Sequence, residues 1–301
     1  MNVYLNGKIL PVGEARVSVL DHGFLYGDGV YETMRVYGGV VFMLEEHLGR
    51  LERSASMIGL ALPKSPDGIK NAVYETLEAN GLKDAYLRVT VSRGEGAVGL
   101  DPDLCQVPTF FIYAGRLKPY PRRFHEEGIR LSIVNVRRNC KEALDPEIKS
   151  LNFLNNILAK IESKRAGADE ALMLNREGFL AEGTVSNIFF VSGEGENALC
   201  TPSVSCGILK GITRDVVIGL AGRLDMKVEE GEFTPGDLYS AREVFITSTI
   251  MEVLPVSGID GKKNFSVGGV TKLLMAEYRK EAASYVRDTK AAGPSIWGFS
   301  E

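Results

Sequence analysis

With 301 residues, 45% hydrophobic and 25% charged, the chain is too long for one ordinary core and has the balance of a globular protein with two domains sharing a cleft. Its net charge of −4 argues against a nucleic-acid binder, which would show a basic face. No apolar run approaches the roughly 20 residues that cross a bilayer, and Met1 to Gly7 carries no basic-then-apolar signal, so a cytoplasmic protein without membrane association is expected.

Asn6-Gly7, set between the apolar runs of Val3 to Leu10, predicts a β-hairpin. A glycine-punctuated segment, Asp21 to Gly29, leads into Val30 to Tyr37, whose β-branched and aromatic content predicts a strand. Leu44, Leu48, Leu51, Ala55 and Ile58 recur at steps of three and four, which predicts an amphipathic helix over 44–59 with Arg50 beside its stripe. A helix over 67–79 and strands over 85–92 and 109–113 follow. From Gly115 to Gly128 the chain has Pro119-Tyr120-Pro121, several arginines and no period, which marks a linker. The expected division is a small domain over 1–115, a linker over 116–128 and a large domain over 129–301. Beyond the linker come a strand over 129–136, a helix beginning near Lys149, strands over 171–174 and 187–191, a helix from Gly211 through Leu220, a strand over 243–247 and a final helix over 269–285. The tail from Ala291 to Glu301 is expected to be poorly ordered. Strands alternating with helices, with no repeat period, indicate an α/β or α+β chain.

Cys105, Cys140, Cys200 and Cys206 show no paired ligand spacing, and no HExxH helix is present, so reduced structural thiols and no metal are expected. Gly94-Glu95-Gly96-Ala97-Val98-Gly99 satisfies G-x-G-x-x-G after a predicted strand. Leu100-Asp101-Pro102 then stands where a dinucleotide-binding helix would have to open, so the segment reads as a glycine loop. Arg122-Arg123 and Arg137-Arg138 read as solvated loops or ligand-facing arginines.

Lys149 is the most informative residue. Pro146 marks a loop before it, and Leu151, Leu154, Leu158 and Ile161 follow at helical spacing, which places the lysine at a helix N-terminus. The positive end of a helix dipole disfavours an ammonium and pushes lysine toward the neutral amine that attacks carbonyls. Taken alone, a loop lysine is a solvated lysine. Gly211-Ile212-Thr213 has what a phosphate needs at a helix start, glycine for close approach and successive amides, and equally suits an ordinary cap. Thr247-Ser248-Thr249 could supply hydroxyls to the same anion, and Arg50 a bidentate pair. Glu182 sits in an expected turn, Leu180 to Thr184, where glutamates are usually solvated.

In chain order, Gly27-Asp28-Gly29-Val30-Tyr31-Glu32, His47-x-x-Arg50-Leu51, Tyr86-x-Arg88, Lys149-Ser150-Leu151-Asn152, Glu182-Gly183-Thr184-x-Ser186-Asn187 and Gly211-Ile212-Thr213-Arg214 make this sequence resemble the class IV aminotransferases, fold-type IV enzymes that use pyridoxal 5′-phosphate. The resemblance covers nearly the whole chain. It implies a two-domain α/β (α+β) fold with the active site at the domain interface. Lys149 matches the lysine joined to the cofactor aldehyde, and Glu182 the carboxylate facing the pyridine nitrogen. Arg50, Gly211, the amides of Ile212 and Thr213, Ser248 and Thr249 match the phosphate cup, with Leu209 on the ring face. Phe153 falls where some members place a tyrosine that reaches the cofactor's phenolic oxygen. The resemblance also implies transfer of an amino group to 2-oxoglutarate, and a homodimer or higher homo-oligomer whose partner's glycine loop, 94–102, roofs the pocket.

For the substrate, Tyr26, Tyr31, Tyr86-x-Arg88 and Gly99-Leu100-Asp101-Pro102 are similar to the branched-chain amino acid group, with Arg35 and Arg88 as carboxylate partners or structural residues and Ile250 also at the pocket. Thr33 departs from the glycine usual there, and Ser248-Thr249-Ile250-Met251 from a Gly-Thr-Ala-like turn. Thr33 and Glu182-Gly183-Thr184-Val185-Ser186-Asn187 are similar to the 4-amino-4-deoxychorismate lyase branch. The Pro-Arg-Asn-His carboxylate trap of bacillar D-amino-acid aminotransferases is absent. Leucine, isoleucine and valine are the expected substrates, with the lyase and D-amino-acid activities as alternatives.

Overall fold

The computed structural model describes residues 1–118, 120–193 and 198–292; Pro119 of the expected linker and the expected poorly ordered tail beyond 292 lie outside them. The chain packs into two compact units, Met1–Lys118 with Ile148–Asn152 and Ala282–Glu301, and Pro119–Glu147 with Phe153–Glu281. A simple cut between 115 and 129 therefore misses two returns of the chain. Lys149, with the short segment Ile148–Asn152, groups with the first unit, not with the longer stretches on either side of that segment.

The first unit opens with a hairpin, β1 (Asn2–Leu5) and β2 (Lys8–Pro11). Asn6 and Gly7 both take positive φ, 48° and 90°, as a two-residue turn matched to strand twist requires. Helix α1 (His22–Tyr26) is followed by β3 (Gly29–Tyr37), β4 (Val40–Val41), α2 (Leu44–Met57), α3 (Pro66–Glu78), β5 (Ala85–Ser92) and β6 (Thr109–Arg116). Ser65 caps α3 by accepting from the Gly68 amide, and Pro66 occupies the first turn, where its missing N–H costs nothing. The strands form an antiparallel sheet in the order β2-β1-β6-β5-β3-β4.

Alternation along these strands gives the sheet two different faces. Val30, Met34 and Val36 of β3, Leu87, Val89 and Val91 of β5, and Phe110, Ile112 and Ala114 of β6 are buried in one core with Leu44, Leu48, Leu51 and Ala55, the predicted stripe of α2. Fully burying each of these larger aliphatic side chains stabilises the unit by about 1.5–3 kcal/mol. The opposite face carries Tyr31, Thr33 and Arg35, with Tyr86, Arg88 and Thr90 beside them on β5.

The second unit contains α4 (Arg122–Glu126), β7 (Ile129–Ile133), α5 (Lys141–Leu144), α6 (Leu154–Arg165), β8 (Glu170–Leu174), β9 (Leu180–Gly183), β10 (Asn187–Val191), β11 (Leu199–Pro202), α7 (Ile212–Arg223), β12 (Val228–Gly231), α8 (Pro235–Ser240), β13 (Glu243–Ser248), β14 (Glu252–Ile259) and β15 (Lys263–Asn264). The last helix, α9 (Gly269–Ala291), begins in this unit. The sheet order is β12-β11-β10-β13-β14-β7-β8-β9, with β15 on β14. It is mixed: β11–β12, β14–β7 and β7–β8 run parallel. The expected linker is not featureless, since β6 runs to Arg116 and α4 lies within the stretch.

One expectation fails around Lys149. The helix begins only at Leu154, five residues later, and Lys149 lies on an extended segment instead. Leu154, Leu158 and Ile161, whose spacing predicted the helix, are exposed, as is Ile157. Periodicity reports an amphipathic helix; it does not report what covers the apolar side.

Candidate active site

In the first unit, the chain that carries Lys149 is bonded to the edge of β3. Tyr31 N–H donates to the Lys149 carbonyl at 3.0 Å, Leu151 N–H donates to the Gly29 carbonyl at 2.9 Å, and Ser150 bridges Val30. The Lys149 amide donates to Ser54 Oγ of α2 at 3.1 Å. Gly29 is needed there because a Cβ would stand 2.7 Å from a Leu151 methyl and 2.6 Å from the Val91 carbonyl. These bonds fix the lysine backbone on both sides, and its Nζ lies 4.6 Å from the centroid of the Tyr31 ring. A helix dipole plays no part. Strand pairing brings the amine to the polar face of the sheet.

That face gathers most of the predicted substrate residues. Arg88 stacks over the Tyr31 ring at 3.8 Å and donates from Nε to Thr90 Oγ1 at 3.1 Å. Thr33 pairs with Arg88 and Arg35 with Tyr86 across β3 and β5, while the Arg35 guanidinium lies 4.6 Å from the Tyr37 ring centroid. Burial pushes the Tyr31 phenol well above its usual range, with Arg88 pulling the other way, so the ring stays neutral at physiological pH. Tyr26 lies apart on α1, where its hydroxyl accepts the Gly99 amide at 3.2 Å and, with His22 bonded to the Ala97 carbonyl, anchors the glycine loop. No dinucleotide helix follows that loop; Pro102–Leu104 is a single 3₁₀ turn.

Arg50 points the other way, into the core side of the sheet. Its Nε and Nη2 donate to Glu32 at 2.6 and 2.8 Å, and His47 Nδ1–H donates to the same carboxylate at 2.7 Å. The expected bidentate partner of Arg50 is thus Glu32 rather than an anion, because a fully buried carboxylate must be matched by a nearby cation. Burial raises the Glu32 pKa, but the Arg50 charge, its hydrogen bonds and His47 together hold the carboxyl well below the usual carboxylate range. Burial lowers the His47 pKa below its usual 6.5, against the pull of Glu32. Both groups bind fewer protons folded than unfolded, so stability must rise with pH. We expect the apoprotein's resistance to urea to fall as pH drops below about 6.5 through His47, and again below about 4.5 as Glu32 protonates. His47→Gln should flatten the first of these slopes.

In the second unit, Glu182 is not a solvated turn residue. It lies buried on β9, where Arg138 Nε donates to its Oε1 at 2.7 Å, and the Leu209 amide and Asn187 Nδ2 donate to Oε2 at 3.1 and 3.3 Å. Arg138, left open by the sequence between solvent and ligand, is held in turn by the Asn155 side chain. Phe153 stands half-buried at the N-cap of α6 without a hydroxyl to offer.

Gly211 caps α7 with no side-chain bond, so the amides of Ile212 and Thr213 leave the helix end without an intrahelical acceptor. Thr247, at the end of β13, keeps a buried hydroxyl that has no partner among the described residues. Ser248 Oγ accepts the Met251 amide, and Thr249 and Ile250 follow in the β13–β14 turn, half-buried. An uncapped helix of twelve residues beside an unsatisfied hydroxyl is a donor set suited to a phosphate, and a partnered carboxylate in the same unit suits a protonated ring nitrogen. The residues present therefore fit pyridoxal 5′-phosphate.

Among the described residues no helix is long and apolar enough to cross a membrane. The family model of amino-transferase class IV matches residues 29–259. A putative branched-chain-amino-acid aminotransferase of Methanocaldococcus jannaschii is 48% identical over 281 residues, 93% of this chain and 96% of that one. An aminodeoxychorismate lyase of Bacillus subtilis is 32% identical over 95% of this chain and 96% of its own. Among solved structures, the branched-chain aminotransferase of Thermoproteus uzoniensis with norvaline superposes with a TM-score of 0.88 at 36% identity, covering 95% of each chain. A T.th. branched-chain aminotransferase with pyridoxamine 5′-phosphate gives 0.89 at 33% identity and 94% of each. With its family motifs matched over most of its length and its two sheets matching those of fold-type IV enzymes, this chain belongs to the class IV aminotransferases and is a pyridoxal 5′-phosphate-dependent transaminase.

Proposed function

We propose that the chain transfers the amino group of L-leucine, L-isoleucine or L-valine to 2-oxoglutarate. The observation that carries this reading is the polar face of the first sheet, where Lys149, Tyr31 and Arg88 meet beside Thr33, Arg35 and Tyr86. Aromatic rings give an aliphatic side chain an apolar wall, and Arg35 or Arg88 gives a carboxylate a charged partner. The 48% identity to the Methanocaldococcus jannaschii relative supports the same substrate class.

When bound, pyridoxal 5′-phosphate supplies an aldehyde that joins amines and a pyridinium ring that accepts electrons from the α-carbon. In this reading Lys149 Nζ would hold the cofactor through its aldehyde and, as a neutral amine, would serve as the base that takes up the proton of the substrate α-carbon. Glu182 would face the ring nitrogen and would keep that nitrogen protonated, while Arg138 holds the Glu182 carboxylate in place. The Ile212 and Thr213 amides, with Thr213, Ser248, Thr249 and Arg50, would hold the phosphate, and Leu209 would pack on the ring. Phe153 leaves the phenolic oxygen without a tyrosine partner. Tyr26 acts by holding the glycine loop.

The test is a substrate panel on the cofactor-loaded enzyme. L-Leucine alone should abolish the visible absorbance, and 2-oxoglutarate should restore it with release of glutamate. Response to D-alanine but not L-leucine would assign a D-amino-acid enzyme. Pyruvate release from aminodeoxychorismate with unchanged absorbance would assign the lyase.

A further inference from the structure

Asn187 begins β10 and stands directly opposite Thr247 of β13, so the two side chains leave the sheet on one face. Its Nδ2 donates to the Leu209 carbonyl at 3.0 Å and to Glu182 Oε2 at 3.3 Å, while the Leu209 amide donates to the same Oε2 at 3.1 Å. Its Oδ1 occupies the space beside Gly211, 2.0 Å from where a Cβ would sit. The three residues that lead into α7 are thus tied to Glu182 at one end and lean on the Asn187 amide at the other.

We infer that Asn187 is a positioning residue that sets the Glu182 carboxylate and the first amides of α7 at one fixed separation, so that the ring-nitrogen end and the phosphate end of the cofactor are held as a single unit. This rests on the cofactor placement proposed above. Two departures from local preference support it. An asparagine in a buried strand is disfavoured where β-branched or aromatic residues would pack, and here an amide is required because two acceptors need one donor group. A glycine cap is weaker than serine, threonine or aspartate, and here no Cβ can be accommodated. Each residue is explained by the other.

The experiment titrates the apoprotein with pyridoxamine 5′-phosphate, which cannot bond covalently to Lys149, and with pyridoxamine, which lacks the phosphate. Wild type is compared with Asn187→Asp, Asn187→Ala, Gly211→Ala and the double variant Asn187→Ala/Gly211→Ala. Losing a buried donor shared by two acceptors should weaken binding of pyridoxamine 5′-phosphate about 10-fold or more in Asn187→Ala. Asn187→Asp, identical in shape, should lose at least as much, because it cannot donate and adds a negative charge beside Glu182. The factor by which the phosphate strengthens binding should shrink in both. Gly211→Ala should match the loss, and the double variant should bind no worse than Asn187→Ala, since the methyl then enters vacated space. Asn187→Asp binding as wild type does, or fully additive losses in the double variant, would overturn the inference. Should the Asn187 variants fail to fold by circular dichroism, Gly211→Ala, which keeps the strand intact, decides the question on the same 10-fold scale. If wild type itself does not bind pyridoxamine 5′-phosphate, the cofactor placement falls, and this inference with it.

Discussion

Lys149→Ala should lower transamination by at least about 10⁴-fold, since one substitution removes both the amine that holds the cofactor and the base that moves the α-proton. The visible absorbance of the reconstituted protein should shift to that of cofactor held without a lysine bond, while the fold persists. The geometry explains why the damage is confined to chemistry. Lys149 is placed by its backbone bonds to Tyr31 and to the Ser54 hydroxyl, and by the neighbouring Leu151–Gly29 bond, none of which uses its side chain. Lys149→Arg keeps a cation beside the Tyr31 ring yet offers no amine of the required reach, so it should be equally inactive. An alanine variant that retains wild-type turnover and absorbance would refute the assignment of Lys149.

Glu32→Ala should have the largest effect on stability. Glu32 is fully buried and is the acceptor for Arg50 and His47, so its loss removes the carboxylate that pairs with an arginine only 6% exposed. Removing one partner of such a pair costs about 3–5 kcal/mol. Urea unfolding of the apoprotein measures it. Replacing all three members of the cluster, Glu32→Leu with Arg50→Met and His47→Leu, should recover most of the loss, because the space then holds apolar groups with no charge or buried donor left unmatched. A Glu32→Ala cost under about 1 kcal/mol would mean that the Arg50 charge finds another partner and that the pair is dispensable.

How far the sequence reads can be judged element by element. The hairpin at Asn6-Gly7, the α2 stripe and the alternation of β3 and β5 were legible because each depends on a local period or turn chemistry that one strand or helix satisfies alone. β14 was not: Pro255 cannot donate to a ladder and reads as a break, yet it pairs with Phe245 in the interior of the sheet, and the register shifts one step on between Val256 and Gly258. β9 hid for a different reason. It is four residues long and ends in Glu182-Gly183, which in isolation looks like a turn.

The candidate site divides the same way. The identities of Lys149, Glu182 and the Gly211-Ile212-Thr213 run, and through them the family, were carried by residue types and order along the chain. Tertiary structure alone decided that Lys149 rides an extended segment bonded to β3, that Arg50 belongs to Glu32, that Arg138 belongs to Glu182, and that Asn187 leans on Gly211. Hydrophobic period and turn chemistry act over a few residues and so are written locally. The choice of partner for a single charge or amide depends on which distant segment the pairing register brings within about 3 Å, and no local pattern specifies that distance.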